Sequence, residues 1–200
     1  MLSSVIQYID QRLLSLGFMP VMYGLVDRIL VDGKEIPAQF CKGEWKYLYD
    51  FSAGFIYHRI IGEISTEDVE EEETVSCEAY ERKTYPMRCV FLRDKKAFSN
   101  DVYDSEKIGN EIASYLKVSN NKSVCIAIGA DIVEVLPNSI NTNIYDVFEE
   151  EFTGVEMIPL DYIMVSVDYE IIIQGQIACF DTICTNGEVN QGFDYSRDYS

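Results

Sequence analysis

YIMVSVDYEIIIQGQIACF, residues 162–180, is the stretch on which the reading of this chain turns. Its odd positions Ile163, Val165, Val167, Tyr169, Ile171, Ile173, Ile177 and Cys179 are apolar, interrupted only by Gly175. Ser166, Asp168, Glu170, Gln174 and Gln176 place polar groups between them. A period of two over this length predicts one continuous, half-buried β-strand. At ~3.3 Å per residue it would span roughly 60 Å, whereas an ordinary strand has about five or six residues. Such a ribbon either bends across two sheets or projects beyond its core, and a projecting strand offers backbone N–H and C=O groups to another chain.

Working outward, Ser3 or Ser4 is placed to cap a helix with the apolar stripe Val5, Ile6, Ile9, Leu13 and Leu16, ended by Gly17. YGLVDRILVDGKEIPAQF reads as two extended runs about Asp32-Gly33, a strong hairpin signal. EWKYLYDF and GFIYHRIIGEIS add strands, and EAYERKTYPMRCVFLRDKK (78–96) another. Pro37 assigns its strand to a sheet edge or a strand start, and Pro86 assigns its strand to an edge. Asp104 or Ser105 then caps EKIGNEIASYLK, whose Ile108, Ile112, Tyr115 and Leu116 make a second amphipathic helix. SVCIAIGADIVEVL reads as one or two strands broken near Gly129, and NIYDVFEEEF as a short helix with Ile144, Val147, Phe148 and Phe152 on one face.

Strands cluster instead of alternating with helices, which predicts an α+β fold: a mostly antiparallel sheet flanked by two or three helices, with a long C-terminal strand. No repeat or linker divides the chain, so residues 1–186 are expected to form a single domain with an exposed acidic loop at 67–73. Residues 187–200 form a polar C-terminal arm carrying Phe193, Tyr195 and Tyr199.

The 200 residues are 48% hydrophobic and 25% charged, enough for an ordinary core without metal or disulfide. No apolar run is long enough to cross a membrane, and MLSSVIQYIDQRLL lacks the pattern of a signal peptide. A cytoplasm, or an assembly built in one, is the expected compartment. The net charge of −18 argues against a broad nucleic-acid-gripping face. EDVEEEE (67–73) includes Glu70, Glu71 and Glu72, and EEE recurs at 149–151, whereas Arg82, Lys83, Arg88, Arg93, Lys95 and Lys96 crowd one stretch. These runs are either solvated faces or complementary edges on a self-associating subunit.

Little in the chain suggests chemistry. Cys41, Cys77, Cys89, Cys125, Cys179 and Cys184 show no paired spacing, and His58 is the single histidine, so no zinc site is expected. His58 has no nucleophile motif beside it, and IAIGADIVEV lacks a glycine fingerprint. Adjacent acids without the alternating spacing of a calcium loop predict no metal either. The expectation is a non-enzymatic protein with no cofactor.

The element order, with IPAQFCKGEWKYLYDF, GFIYHRIIGEIS and the closing VSVDYEIII, resembles the tail-terminator and head–tail joining proteins of tailed bacteriophages, crAss-like phages in particular. The resemblance implies a virion protein, assembled in the host cytoplasm, that forms a homo-oligomeric ring in the neck or tail. Its partners would be copies of itself and neighbouring portal, neck or tail proteins, with no membrane. DNA would pass through without specific binding, repelled by channel carboxylates. Asp168 and Glu170 on the ribbon's polar face are then candidates to line the channel, or else belong to a solvated sheet face. Candidate assembly contacts are Arg82, Lys83, Arg88, Glu70, Glu71, Glu72, Phe193, Tyr195 and Tyr199. An acidic adaptor or inhibitor that occupies a basic, nucleic-acid-binding partner is the alternative.

Overall fold

The ribbon forms β9, Tyr162–Gln176, and it is matched by β7, Tyr80–Asp94, which has the same 15 residues and pairs with it antiparallel from end to end. We describe residues 1–16, 21–41, 43–47, 54–69, 80–98, 104–120, 122–155 and 161–176 of a computed structural model. On its other side β9 pairs with β8, Ile132–Asn141. Its described length is thus satisfied inside the subunit, and the expectation that it projects or bends across two sheets does not hold there. Strand β7 is equally long because two strands lie end to end along its far side: β5, Phe55–Ile60, and β6, Ser65–Val69. Strand β1, Val21–Leu25, completes the six-stranded sheet in parallel with β5, within an otherwise antiparallel α+β fold.

Two prolines sit in interior strands rather than on edges, for one reason. In an antiparallel ladder a residue's N–H and C=O point to the same neighbour. The Pro86 carbonyl accepts from Ile61 N–H (2.9 Å), so its missing donor faces the gap where β5 has ended and β6 has not begun. Pro37 lies in β3, Lys34–Cys41, the middle strand of a second sheet between β2, Asp27–Val31, and β4, Glu44–Tyr47. Glu35 N–H, on the same side of β3, donates to Thr153 C=O, and β4 pairing begins only at Ala38. Each proline falls just past the end of a described ladder on that side.

The β2–β3 turn follows the sequence reading. Asp32 (φ 50°) and Gly33 (φ 78°) both adopt the left-handed conformation required by a two-residue turn of type I′. The acidic run does not: Glu67 and Asp68 belong to β6, opposite Arg82 and Glu81, so only its later residues could form the expected loop, and 70–73 lie outside the described residues.

Helices cover both faces of the large sheet. On one, α1 (Leu2–Leu13) and α2 (Ser105–Leu116) bury Val5, Ile6, Ile9, Leu13, Ile108, Ile112 and Leu116 against the odd positions of β9, each full burial contributing about 1.5–3 kcal/mol. Asp104 caps α2 by accepting from Lys107 N–H, but α1 starts at Met1 without a side-chain cap, leaving Ser3 and Ser4 inside its first turn. A short helix α3, Lys122–Ile128, replaces the strand expected from SVCIAI. Gly129 (φ 77°) ends it, its N–H and that of Ala130 both reaching the Cys125 carbonyl, while Val118 occupies the bridge position beside Val135 of β8.

On the other face, α4 (Ile144–Glu151), capped by Asn143, and the three-stranded sheet enclose Ile36, Phe55, Tyr57, Val90, Leu92, Phe148, Phe152 and Met164. Ser166 is buried there too, so β9 is covered on both sides over much of its length instead of half-buried.

Candidate functional site

Register places four polar side chains in one row across the large sheet: Arg59 of β5, Arg88 of β7, Asp168 of β9 and Ser139 of β8. Two arginines directly opposite each other repel. Glu151, the last residue of α4 and 0% exposed, offsets this from above. Arg59 Nε donates to both of its oxygens (2.9 and 2.8 Å) and Nη2 to Oε1 (2.7 Å). Tyr57 Oη donates to Oε2 (2.9 Å), and burial first, then the adjacent carboxylate, raises the Tyr57 pKa well above its ordinary value. Arg88 grips Asp168 with two parallel bonds (2.6 and 3.0 Å) and also contacts Glu150 and Glu151. Hydrogen bonding to Asp168 raises the Arg88 pKa further, so its charge is permanent. This network fastens α4 to the sheet, and the EEE run at 149–151 is largely consumed by it.

On the opposite face His58 is fully buried, directly across from Cys89. Its Nε2 lies 2.9 Å from Asp10 Oδ1 of α1 and its Nδ1 2.7 Å from Tyr169 Oη of β9. Burial by itself lowers the His58 pKa, but the Cys89 sulfur and Asp10 carboxylate outweigh it and raise it to about 10. In its charged form His58 donates from both nitrogens, to Asp10 and to Tyr169. The grouping resembles a catalytic triad in outline, yet neither of two cavities lined by described residues reaches it. One, about 290 Å³, is lined by Lys95, Ser105, Thr142, Tyr162 and their neighbours; the other, about 450 Å³, by Asn110, Ser114, Lys117, Leu136 and Pro137. Neither lining contains a carboxylate, cysteine or histidine. Among the described residues no cluster of three or more metal-ligating side chains forms, and no helix is long and apolar enough to cross a membrane. Cys89 and Cys125 are buried free thiols.

The residues singled out from the sequence disperse. Arg88 and Asp168, expected at an interface and in a channel, are bound to each other. Lys83 pairs with Glu81 (2.9 Å), and Arg82 of the basic stretch stands opposite Glu67 of the acidic run in the β6–β7 ladder. Glu170 is half-buried beside Pro86 and Leu136. Glu70, Glu71, Glu72, Phe193, Tyr195 and Tyr199 lie outside the described residues.

The surface feature that sequence reading missed is the aromatic margin of the small sheet. Its inner face begins under the core with Ile29, Ile36 and Ala38, then runs out from beneath it as Phe40 (49% exposed), Trp45 (40%) and Tyr47 (46%). Phe40 and Trp45 are cross-strand partners in edge-to-face contact, centroids 5.2 Å apart. The signal was present in QFCKGEWKY, where aromatics flank Lys42-Gly43, a short hairpin connection. No family model matches the chain, and no curated protein matches it either. The reading of the site therefore rests on its geometry.

Proposed function

We propose that this protein is a non-enzymatic structural subunit that works by associating with copies of itself, as a head–tail joining or tail-terminator ring of a tailed phage does around its DNA channel. The observation that carries this reading is the contrast between its two kinds of side chain. Its buried acid–base groups are committed to internal pairs on the two faces of the large sheet, whereas Phe40 and Trp45 leave about half or less of their surface exposed on the small one. Exposed aromatics at a sheet margin suit a binding surface better than a solvated one. A net charge of −18 gives such a ring a use for its acidity, since its surface would repel the DNA phosphates passing it. The location that follows is the virion neck or tail, after assembly in the host cytoplasm, with portal, neck or tail proteins as neighbours.

Negative-stain microscopy of the purified protein, by itself and mixed with portal and tail proteins of a tailed phage, tests this. Rings or a defined complex are expected. A monomer at every concentration that binds none of those neighbours refutes it. The charge also favours a second reading, an acidic adaptor occupying a basic partner; there, a nucleic-acid-binding protein would be captured and released by about 0.5 M salt.

A further inference from the structure

A groove runs along the seam between α2 and β8. Asn110, Ala113 and Ser114 form one wall and Leu136 and Pro137 the other, with Lys117 at its end, around a cavity of about 450 Å³. Gly109 lets the two elements close up: Ile140 of β8 sits where an added Cβ would meet its Cγ2 at 2.5 Å. Leu136 and Ile140 nevertheless stay exposed. Val135 exchanges both backbone bonds with Val118, so Pro137, two residues on, faces the same outer side and offers no N–H there. A visitor to this groove is therefore held by side chains rather than by strand addition.

Charge at the groove is of the rarer sign. Among the described residues Lys117 forms no ion pair, and Arg12 of α1 reaches only the Lys117 carbonyl (2.7 Å) and the Tyr8 ring. In a chain of net charge −18 two neighbouring cations thus meet no described carboxylate, so the groove suits an aromatic, acidic peptide. The chain carries one. Its last residues run Phe193-Asp194-Tyr195-Ser196-Arg197-Asp198-Tyr199-Ser200, with Asp-Tyr-Ser written twice. Residues 177–200 lie outside the described residues; at ~3.3 Å per residue, 177–192 extend at most roughly 50 Å from the end of β9, enough to cross to an adjoining copy.

We infer that the α2–β8 groove receives Phe193 and Asp194 of a second copy of this chain, the ring against Ala113, Leu136 and Pro137 and the carboxylate at Lys117. The inference rests on the reading of the protein as a self-associating subunit and specifies one contact of it. Arm and groove are different surfaces, so the contact is head-to-tail, the kind from which a ring closes. One ring and one ion pair make a small interface, which predicts reversible, concentration-dependent association.

Substitutions in the full chain test this by sedimentation equilibrium. Phe193→Ala should weaken association roughly tenfold to a hundredfold, the worth of burying one such ring. Lys117→Glu and Asp194→Lys should each weaken it roughly fivefold, and the doubly exchanged protein should recover. Circular dichroism checks that these exposed substitutions leave the fold intact. A carbodiimide, which joins a lysine amine directly to a carboxylate, applied to a mixture of isotope-labelled and unlabelled chains should link Lys117 to Asp194 in peptides of mixed label. Links confined to one label would place the segment on its own chain and overturn the contact between copies. Oligomers of undiminished affinity in Phe193→Ala and Lys117→Glu would overturn the groove and leave the subunit reading standing. A parent protein that stays monomeric throughout would overturn both.

Discussion

Glu151 offers the sharpest test of what holds this fold together. Its carboxylate is fully buried, receives three bonds from Arg59 and one from Tyr57, and lies 3.4 Å from Arg88. Replacing it with alanine leaves the Arg59 guanidinium, only 13% exposed, without its anion and the Tyr57 hydroxyl without its acceptor. Arg88 keeps Asp168 and Glu150 and is affected less. Stranding a buried cation costs about 3–5 kcal/mol, a large part of the roughly 5–15 kcal/mol that stabilises a typical domain. Glu151→Gln keeps an acceptor for Tyr57 and part of the Arg59 contact, so it should lose about 1–3 kcal/mol. Replacing Arg59 and Glu151 together with methionine and leucine should recover much of the alanine loss, because no charge is then left unpaired. Urea unfolding followed by circular dichroism measures all three. An alanine variant within about 1 kcal/mol of the parent, as for a surface pair, would refute the view that this network fastens α4 to the sheet.

Other outcomes follow from single contacts. The His58 pKa is raised from 6.5 to about 10, so the native state holds the proton more tightly than the unfolded chain. The stability this supplies is full below about pH 6.5 and is lost as pH rises toward about 10. Unfolding free energies across that window should therefore fall, and Asp10→Asn should flatten the slope; stability that rises with pH there would contradict an imidazolium. Gly109 of α2 lies where a Cβ would come within 2.5 Å of Ile140 Cγ2 and 3.2 Å of Val165 Cγ1. Gly109→Ala should cost about 1–3 kcal/mol through overpacking despite its gain of about 1 kcal/mol in helix propensity, and a raised melting temperature would show that α2 does not pack that closely. Gly33→Ala, at φ 78° with nothing near its added methyl, should cost about 1 kcal/mol through backbone strain alone, measured by thermal melting. Removing residues 187–200 should leave the unfolding midpoint unchanged and weaken assembly, and loss of the fold would end the view of that segment as an arm.

Local chemistry made several elements legible before any fold was known. The period-two run of β9, the stripes of α1 and α2, the Asp104 cap and the Asp32-Gly33 turn each depend on residues within a few positions of one another. SVCIAI misled because a short apolar run satisfies a strand and a helix equally, and the position beside β8 that would have decided it is taken by Val118. The prolines misled because composition does not say which side of a strand has a neighbour at that residue.

The destiny of the charged residues was not legible at all. Asp168 reads as a polar-face carboxylate, and only the pairing of β7 with β9 brings Arg88, 80 positions earlier, against it. Glu151 reads as one acid of three until α4 lands on the row of arginines. The long ribbon reads as a strand in search of a partner molecule, and its partner is a strand of equal length in the same chain. Periodicity, caps and turns are written by near neighbours and survive in any context, so sequence by itself determined where most elements lie and which stripes are apolar. Which faces are doubly covered and which charges cancel depend on contacts between distant segments, and those the tertiary structure decided.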